Sequence, residues 1–332
     1  MRKYLLLIIA LCYAVVANAQ GTSEYTAVLQ HGNDASVYTG STAFQQAYEA
    51  AVDGDVIVLS EGMFIPVTRI EKSLKIYGAG FERNAETNTA ITGFTGHVYV
   101  GKADAVLEGF HLEGVWVMGT LQFDYEMKDA NIRKCYVTEC IRFRKNIEKV
   151  GVKQCRIGDS ILGETSVVAT GLLIANCHIN GNARTFSYDS FVHIDHCYIL
   201  QYGSRDTAKT IITNTIIGAN RFSSACGVAN YSTAQNCIVV NGAGTFPSSV
   251  SYGNCPRVNL ANIFADGENA EYSVTRTFEL KDPNTYKGSD GTSIGPAGGE
   301  GWNKVPAKPS IANLTTTLSG TNINITYDAA VK

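Results

Sequence analysis

The stretch FVHIDHCYIL at residues 191–200 brings together four residues capable of chemistry: His193, Asp195, His196 and Cys197. Histidine and cysteine are common zinc ligands, and a histidine beside a carboxylate can transfer protons. The alternation of apolar and polar residues in VHID predicts a β-strand, whose successive side chains point to opposite faces. His193 and Asp195 would then face solvent while Cys197 faces the core. We therefore predict polar residues on the outer side of a strand, and no metal site.

An internal repeat carries these residues. Six heptapeptides align without gaps, with cysteine at the fifth position of five of them and threonine in the other. Successive fifth positions are 20, 22, 20, 18 and 22 residues apart. Short strands at this spacing, with no helix between them, are typical of a solenoid of stacked parallel β-coils. The six are NIRKCYV (131–137), GVKQCRI (151–157), LIANCHI (173–179), HIDHCYI (193–199), IITNTII (211–217) and TAQNCIV (233–239).

The position before each fifth residue is expected to turn the chain. In three of the six repeats this position is an asparagine: Asn176, Asn214 and Asn236. Asparagine tolerates left-handed backbone geometry better than most residues. A bend there explains why apolar positions are three apart across it, although alternation by two holds on each side. Val192 and Ile194 would face the core before one such bend.

The cysteines follow the same pattern. Nine are present, and all except Cys12 lie between Cys135 and Cys255. We predict one buried column of repeat cysteines, with Cys140 and Cys226 outside it and Cys255 in a weaker copy. In-register side chains point the same way, so bridging two sulfurs would require unfavourable torsions. We therefore predict mostly free thiols. The column is Cys135, Cys155, Cys177, Cys197 and Cys237.

The outward positions of the repeat form rows that could bind a ligand. Rings offer flat faces to sugars, and guanidinium groups suit carboxylates or sulfates. We predict exposed aromatic and cationic rows on the middle coils, with the rings of Tyr136 and Tyr198 outside. The candidate ligand-binding residues are Tyr136, Arg156, His178 and Tyr198 after the bend, Arg133, Lys153 and Asp195 before it, and Arg142 and Arg144 in the coil at 141–145.

The two ends of the chain differ from the repeat. Residues 1–19 carry a basic start, an apolar run and Ala17-Asn18-Ala19, which predicts a signal peptide and export to the periplasm, cell surface or outside. No later segment is predicted to span a membrane. Residues 20–287 are assigned to the solenoid, 288–310 to a Gly/Pro-rich linker and 311–332 to a short β-hairpin.

A helical pattern, then AAVDGDVIVLSEGMF, LKIYGAG and the Asn-Cys coils, resembles the right-handed parallel β-helix proteins of the pectate-lyase-like class, in particular secreted bacterial members. The resemblance covers residues 41–260 and implies an all-β, right-handed parallel β-helix. The helix, with Phe44, Ala47, Tyr48 and Ala51 at helical spacing, would cap the core. In the earlier coil VLEGFHLEGVWV, Phe110 and Leu112 are assigned to the Cys and Ile slots.

One alternative is a lyase acting on uronate polymers. HIDHC is similar to a Trp-Ile-Asp-His stretch close to the calcium site of one pectate lyase family, although His193 replaces the tryptophan. The resemblance would imply calcium near Asp195 and a catalytic arginine downstream. The arginines there are Arg205, Arg221, Arg257 and Arg276, and Pro256 precedes the third. A glycoside hydrolase would need two facing carboxylates, for which Asp189 and Asp195 are candidates by proximity only.

The expected function is engagement of a polysaccharide or cell-surface glycan through the outward rows, with no cofactor. A net charge of −3 gives no general argument for nucleic acid. The alternatives are the uronate lyase, which alone would use calcium, and a non-catalytic adhesin or structural spacer.

Overall fold

This computed structural model describes residues 25–32, 34–84, 90–181, 183–184, 186–200, 209–218, 232–242, 246, 248, 250–267, 272–307, 309–319 and 322–331. The predicted signal peptide, Cys226, Arg205 and Arg221 lie outside these residues.

The described residues form a β-solenoid whose coils each contribute strands to stacked sheets, which confirms the predicted all-β fold. Sheet 1 contains, in spatial order, Asp34–Thr39, Thr26–His31, Val56–Leu59, Lys75–Tyr77, His111–Glu113, Asn131–Arg133, Ile147–Lys153, Ala169–Ala175, Phe191–Asp195, Lys209–Thr213, Thr233–Gln235 and Ser251–Gly253, with Leu107–Glu108 and Met127–Lys128 beside them. Sheet 2 contains Gly62–Phe64, Thr92–Phe94, Trp116–Val117, Tyr136–Val137, Arg156–Ile157, His178–Ile179, Tyr198–Ile199, Ile216–Ile217, Ile238–Val240 and Arg257–Val258. Sheet 3 contains Val98–Val100, Leu121–Phe123, Ile141–Phe143, Ile161–Leu162 and Ala183–Arg184. Sheets 2 and 3 are parallel throughout, and sheet 1 is parallel from Val56–Leu59 onward.

The bend between sheets 1 and 2 is a column of left-handed residues. Asn176, Asn214 and Asn236 have φ values of 51°, 50° and 52°, which confirms the predicted corner. The corner is not restricted to asparagine, since Lys134 and His196 adopt the same geometry with φ of 48° and 46°. A single left-handed residue reverses which side of the chain faces inward, so both flanking strands can bury apolar side chains.

The repeat cysteines lie in the core as predicted. All five have no solvent exposure, and the seven cysteines within the described residues are free thiols. Burial raises the pKa of the Cys135, Cys155 and Cys177 thiols well above its usual value. Each thiol instead donates to backbone carbonyls, as Cys135 Sγ does to Arg133 O at 3.0 Å.

Cys255, at the end of the column, should be the most reactive thiol among the described cysteines. It is half-buried, and a hydrogen bond with the Cys237 thiol lowers its pKa. We expect native protein at neutral pH to be alkylated at Cys255 well before the column cysteines, as read by peptide mass spectrometry. Denatured, unreduced protein should then be labelled at all seven described cysteines. Disulfide-linked peptides from the column would contradict this account.

One slot assignment in the earlier coils is wrong. Register pairs Leu112 with Ile132 in sheet 1, and Val117 with Val137 in sheet 2. Phe110 and Leu112 are both buried, but before the corner, so they do not occupy the Cys and Ile slots. HLEGVWV (111–117) lies one regular step of 20 residues before NIRKCYV (131–137), but it has Val115 where the later repeats have cysteine, so the residue that marks the slot is missing.

The N-terminal helix spans Ala43–Ala50 and buries Ala43, Phe44 and Ala47 against the solenoid core. The Phe44 ring lies 4.8 Å from that of Phe94. A short 3₁₀ helix spans Leu260–Asn262. At the other end, two antiparallel strands form the hairpin, Pro309–Ser319 and Asn322–Val331.

Residues 288–307, predicted to be a linker, have no strand within them and pack along the corner between sheets 1 and 2. We call them the strap. Asn176 Nδ2 donates to Pro296 O at 2.9 Å and to Gly298 O at 2.6 Å. At the far end, Lys134 Nζ donates to Val305 O at 2.6 Å. The strap therefore runs back along the corner from the later coils toward the earlier ones.

Candidate functional site

The predicted row on sheet 2 exists, but half of it is covered. Register places Tyr136, Arg156, His178 and Tyr198 on consecutive coils, as expected. However, His178 and Tyr198 are 0% and 1% exposed, so the Tyr198 ring is on the outward side of sheet 2 as predicted, but the prediction that it is solvent-exposed is wrong. Neither side chain can contact a bound polymer in this state.

A second apolar cluster on the outside of sheet 2 explains this burial. Residues after the last coil fold back over the sheet and pack Phe264 and Phe278 against Tyr198, with ring centroids 5.1 Å and 6.2 Å apart. The sequence carried a signal for this cover. The same outward column continues into Ile216 and Ile238, and two isoleucines facing solvent would be unfavourable. We call this group the outer cluster.

The exposed half of the row has no free ring face for a sugar. Trp116 stacks on Tyr136 at 5.7 Å with an interplanar angle of 14°. On the next coil, the Arg156 guanidinium lies 4.2 Å from the Tyr136 ring centroid and 4.0 Å from that of Tyr272. Because Trp116 and Arg156 lie on opposite sides of Tyr136, both faces of that ring are occupied. The row is therefore a cation–π stack along the solenoid, not a sugar platform.

The other predicted row, before the corner on sheet 1, is accessible. Arg133 and Lys153 occupy adjacent strands and are 35% and 23% exposed. Neighbouring strands add three residues that the repeat pattern does not indicate. Lys75 is exposed, and Tyr77 and His111 are partly buried with their rings 5.0 Å apart. We call Lys75, Tyr77, His111, Arg133 and Lys153 the cationic face.

A buried carboxylate lies within this face. Glu113 is 5% exposed, its Oε2 atom lies 3.2 Å from His111 Nε2, and its Oε1 atom accepts the backbone N–H of Ala307 at 2.9 Å. Burial alone would raise the pKa of Glu113. The bonds from His111 and Ala307, with the Lys134 ammonium nearby, instead hold that pKa below its usual value. Glu113 thus orients His111 and fixes the end of the strap.

Burial and the Glu113 charge raise the pKa of Tyr77, although Arg133 acts in the opposite direction. The phenol therefore stays protonated at neutral pH and can donate a hydrogen bond. The face combines this donor with cations on three of four successive strands: Arg133 and Lys153 are on adjacent strands, about 4.8 Å apart, and Lys75 is two strands from Arg133.

Of the four residues singled out at 193–197, Asp195 and His196 hold the strap, whereas His193 bonds Thr213 and Cys197 lies in the core. His196 is 2% exposed; its Nδ1 atom lies 2.9 Å from Asp195 Oδ2, and its Nε2 atom 3.1 Å from Thr292 Oγ1. A carboxylate, imidazole and hydroxyl in this order could activate a nucleophile. Here Thr292 Oγ1 also lies 2.9 Å from both carboxylate oxygens of Asp290 and accepts the Gly299 N–H. The Thr292 hydroxyl is already hydrogen-bonded to Asp290 and Gly299. We therefore assign Asp195, His196 and Thr292 to holding the strap in place.

Asp195 does not fit a calcium site. Its Oδ1 atom accepts hydrogen bonds from Thr213 Oγ1 at 2.6 Å and Asn214 Nδ2 at 2.9 Å, while Oδ2 faces His196. Arg257 lies on sheet 2 and not beside Asp195, and Arg276 is buried over the Phe264 ring. Within the described part of the chain, no three His, Cys, Asp or Glu side chains are placed to hold a metal ion.

The hydrogen bonds to Asp195 make it a source of pH-dependent stability. Burial would raise its pKa, but bonds from His196, Thr213 and Asn214 lower it below the usual value. A carboxyl with a lowered folded-state pKa stabilises the fold above its unfolded pKa of about 4, and the stabilisation is lost as pH falls through the folded value. As the pH falls below about 4, the unfolding free energy of Asp195→Asn should decrease less steeply than that of the wild type. An unchanged slope in acid denaturation would contradict this role.

Arg142 and Arg144 lie on the sheet 3 side, apart from the other candidates. Arg142 is exposed and in register with Gln122 and Tyr99. Arg144 is paired through its Nε atom with Glu164 Oε1 at 3.1 Å. The structure therefore divides the predicted residues between three sheets.

No family profile matches the chain, and neither curated proteins nor solved structures give a match. Among the described residues, no helix is both long and apolar enough to cross a membrane.

Proposed function

We propose that this protein engages a polysaccharide along the cationic face of sheet 1. The observation that carries the proposal is the accessible array of Lys75, Tyr77, His111, Arg133 and Lys153 on successive strands. Cations spread over four successive strands suit an extended polymer, because the rigid sheet holds them at fixed distances from one another. The outward row of sheet 2 is not part of this surface.

The proposal includes the setting implied by the sequence. The basic and apolar N-terminus supports export, and the Asn-Cys coils support a relationship to pectate-lyase-like proteins, a class for which a polysaccharide ligand is the expectation. A surface glycan is then the natural partner, and no cofactor is required for binding.

Uronate lyase activity is the second candidate, and one contact favours it. A lyase needs a base for the proton next to the carboxylate and a cation that stabilises the resulting enolate. His111 Nε2 faces Glu113, which leaves Nδ1 to accept a proton, and Arg133 lies on the neighbouring strand. This version of the lyase uses neither Asp195 nor calcium.

A glycan array combined with an assay for ultraviolet-absorbing unsaturated products on uronate polymers tests these proposals together. Binding without products supports the glycan-binding function, and products support the lyase. A protein that binds no glycan and releases no product would be a structural spacer, and both proposals would be wrong.

A further inference from the structure

The cationic face already holds one carboxylate, and it comes from the strap. Glu300 Oε1 lies 2.5 Å from Lys153 Nζ, and Glu300 Oε2 lies 3.5 Å from Arg133 Nη2. The hydrogen bond with Lys153 lowers the pKa of Glu300, so the group is charged at neutral pH. Its side chain is half-exposed, in contact with solvent as well as with the two cations.

The strap does not depend on this side chain for its position. On one side of Glu300, Asn176 Nδ2 holds the carbonyl of Gly298, and on the other Gln154 Nε2 donates to Gly301 O at 2.9 Å. These bonds fix the backbone on both sides. The Glu300 side chain can therefore rotate toward solvent while the strap stays in place.

We propose that Glu300 is an internal competitor for the ligand, and that an acidic sugar binds by placing its carboxylate or sulfate where the Glu300 carboxylate lies. This inference rests on the proposed function and specifies its ligand class. A neutral sugar would leave the Lys153–Glu300 ion pair intact and would form no ion pair with Arg133 or Lys153. An acidic sugar takes over both cations and leaves Glu300 to solvent.

The arrangement sets both affinity and selectivity. A partly exposed ion pair contributes only modestly to stability, so an acidic ligand can displace it. Without Glu300, the ligand would meet two cations that have no carboxylate partner, since the nearby Glu113 is already bonded to His111 and Ala307. Replacing Glu300 with a neutral isostere should therefore strengthen binding of acidic sugars, about two- to tenfold.

The test compares the full-length protein with its Glu300→Gln variant by calorimetric titration. The probes are oligomers of similar length from polygalacturonate, a sulfated galactan and a neutral galactan, which separate carboxylate, sulfate and uncharged ligands. Glu148→Gln is the matched control, since Glu148 is 44% exposed and pairs with Lys128 and Lys149, away from Arg133 and Lys153. Thermal unfolding of each variant checks that the strap is intact.

The expected result is tighter binding of an acidic probe by Glu300→Gln alone, with no gain for the neutral galactan. Equal affinity of wild type and Glu300→Gln for an acidic probe would overturn the inference while leaving the proposed function in place. Weaker binding by Glu300→Gln would also overturn it, because Glu300 would then assist the ligand. If no probe binds any variant, the proposed function fails and the inference with it.

Discussion

Tyr198→Ala is expected to lower the free energy of unfolding by about 3–5 kcal/mol, the cost of removing a fully buried aromatic side chain. Tyr198 is 1% exposed and packs against Phe264 and Phe278. Its loss would leave a cavity under the outer cluster. Denaturant unfolding measures the change, and limited proteolysis should show that residues after the last coil are released first.

Tyr136→Ala is the matched control, because Tyr136 lies three coils earlier in the same outward column. Its ring is only partly buried and its main partners are Trp116 and Arg156, so we expect a loss of about 1–2 kcal/mol. Equal, small losses for both variants would mean that Tyr198 is exposed and that the cover over sheet 2 is wrong.

Replacing Arg133 and Lys153 together by glutamine is expected to reduce affinity for an acidic oligosaccharide on the order of 100-fold. Hydrogen bonds to charged groups contribute about 1.5–3 kcal/mol each, and 1.4 kcal/mol corresponds to tenfold. Both side chains are partly exposed, so the fold should tolerate the change. Titration calorimetry gives the affinity, and unfolding curves check stability.

Two double variants make this result specific. Lys102→Gln with Lys149→Gln removes the same charge from exposed positions outside the cationic face and should leave affinity within about twofold. Arg142→Gln with Arg144→Gln tests the sheet 3 side, and should behave the same way. If the sheet 3 variant lost affinity strongly and the Arg133 and Lys153 variant did not, the binding site would lie on sheet 3.

The solenoid could be predicted because the same pattern of buried and turning residues recurs in each coil. A short strand, a left-handed corner and a buried anchor recur about every 20 residues, so one pattern determines strand direction and burial for every coil. The column Cys135 to Cys237 and the asparagine corner were both found this way. The earlier coils were harder, since Tyr77 and Glu113 pair in register although 36 residues separate them.

The cover over sheet 2 and the strap could not be predicted in the same way. A repeat shows which side chains face outward, but not which later segment packs on them. Several of the bonds that fix the strap join side chains to backbone carbonyls, as from Asn176, Lys134 and Gln154, and a carbonyl has no signature in sequence. A Gly/Pro-rich segment with such contacts is indistinguishable from a free linker. Ile216 and Ile238 were the one clear sign that the outer face is covered.

Lysine labelling tests most directly whether the ligand binds on the cationic face. Lys75 and Lys153 lie on that face, while Lys102 and Lys149 are exposed elsewhere. The protein is acetylated with and without a saturating acidic oligosaccharide, and each lysine is quantified by mass spectrometry. We predict that ligand slows labelling of Lys75 and Lys153 and leaves Lys102 and Lys149 unchanged. Unchanged labelling of Lys75 and Lys153 in protein shown to be saturated would contradict the account.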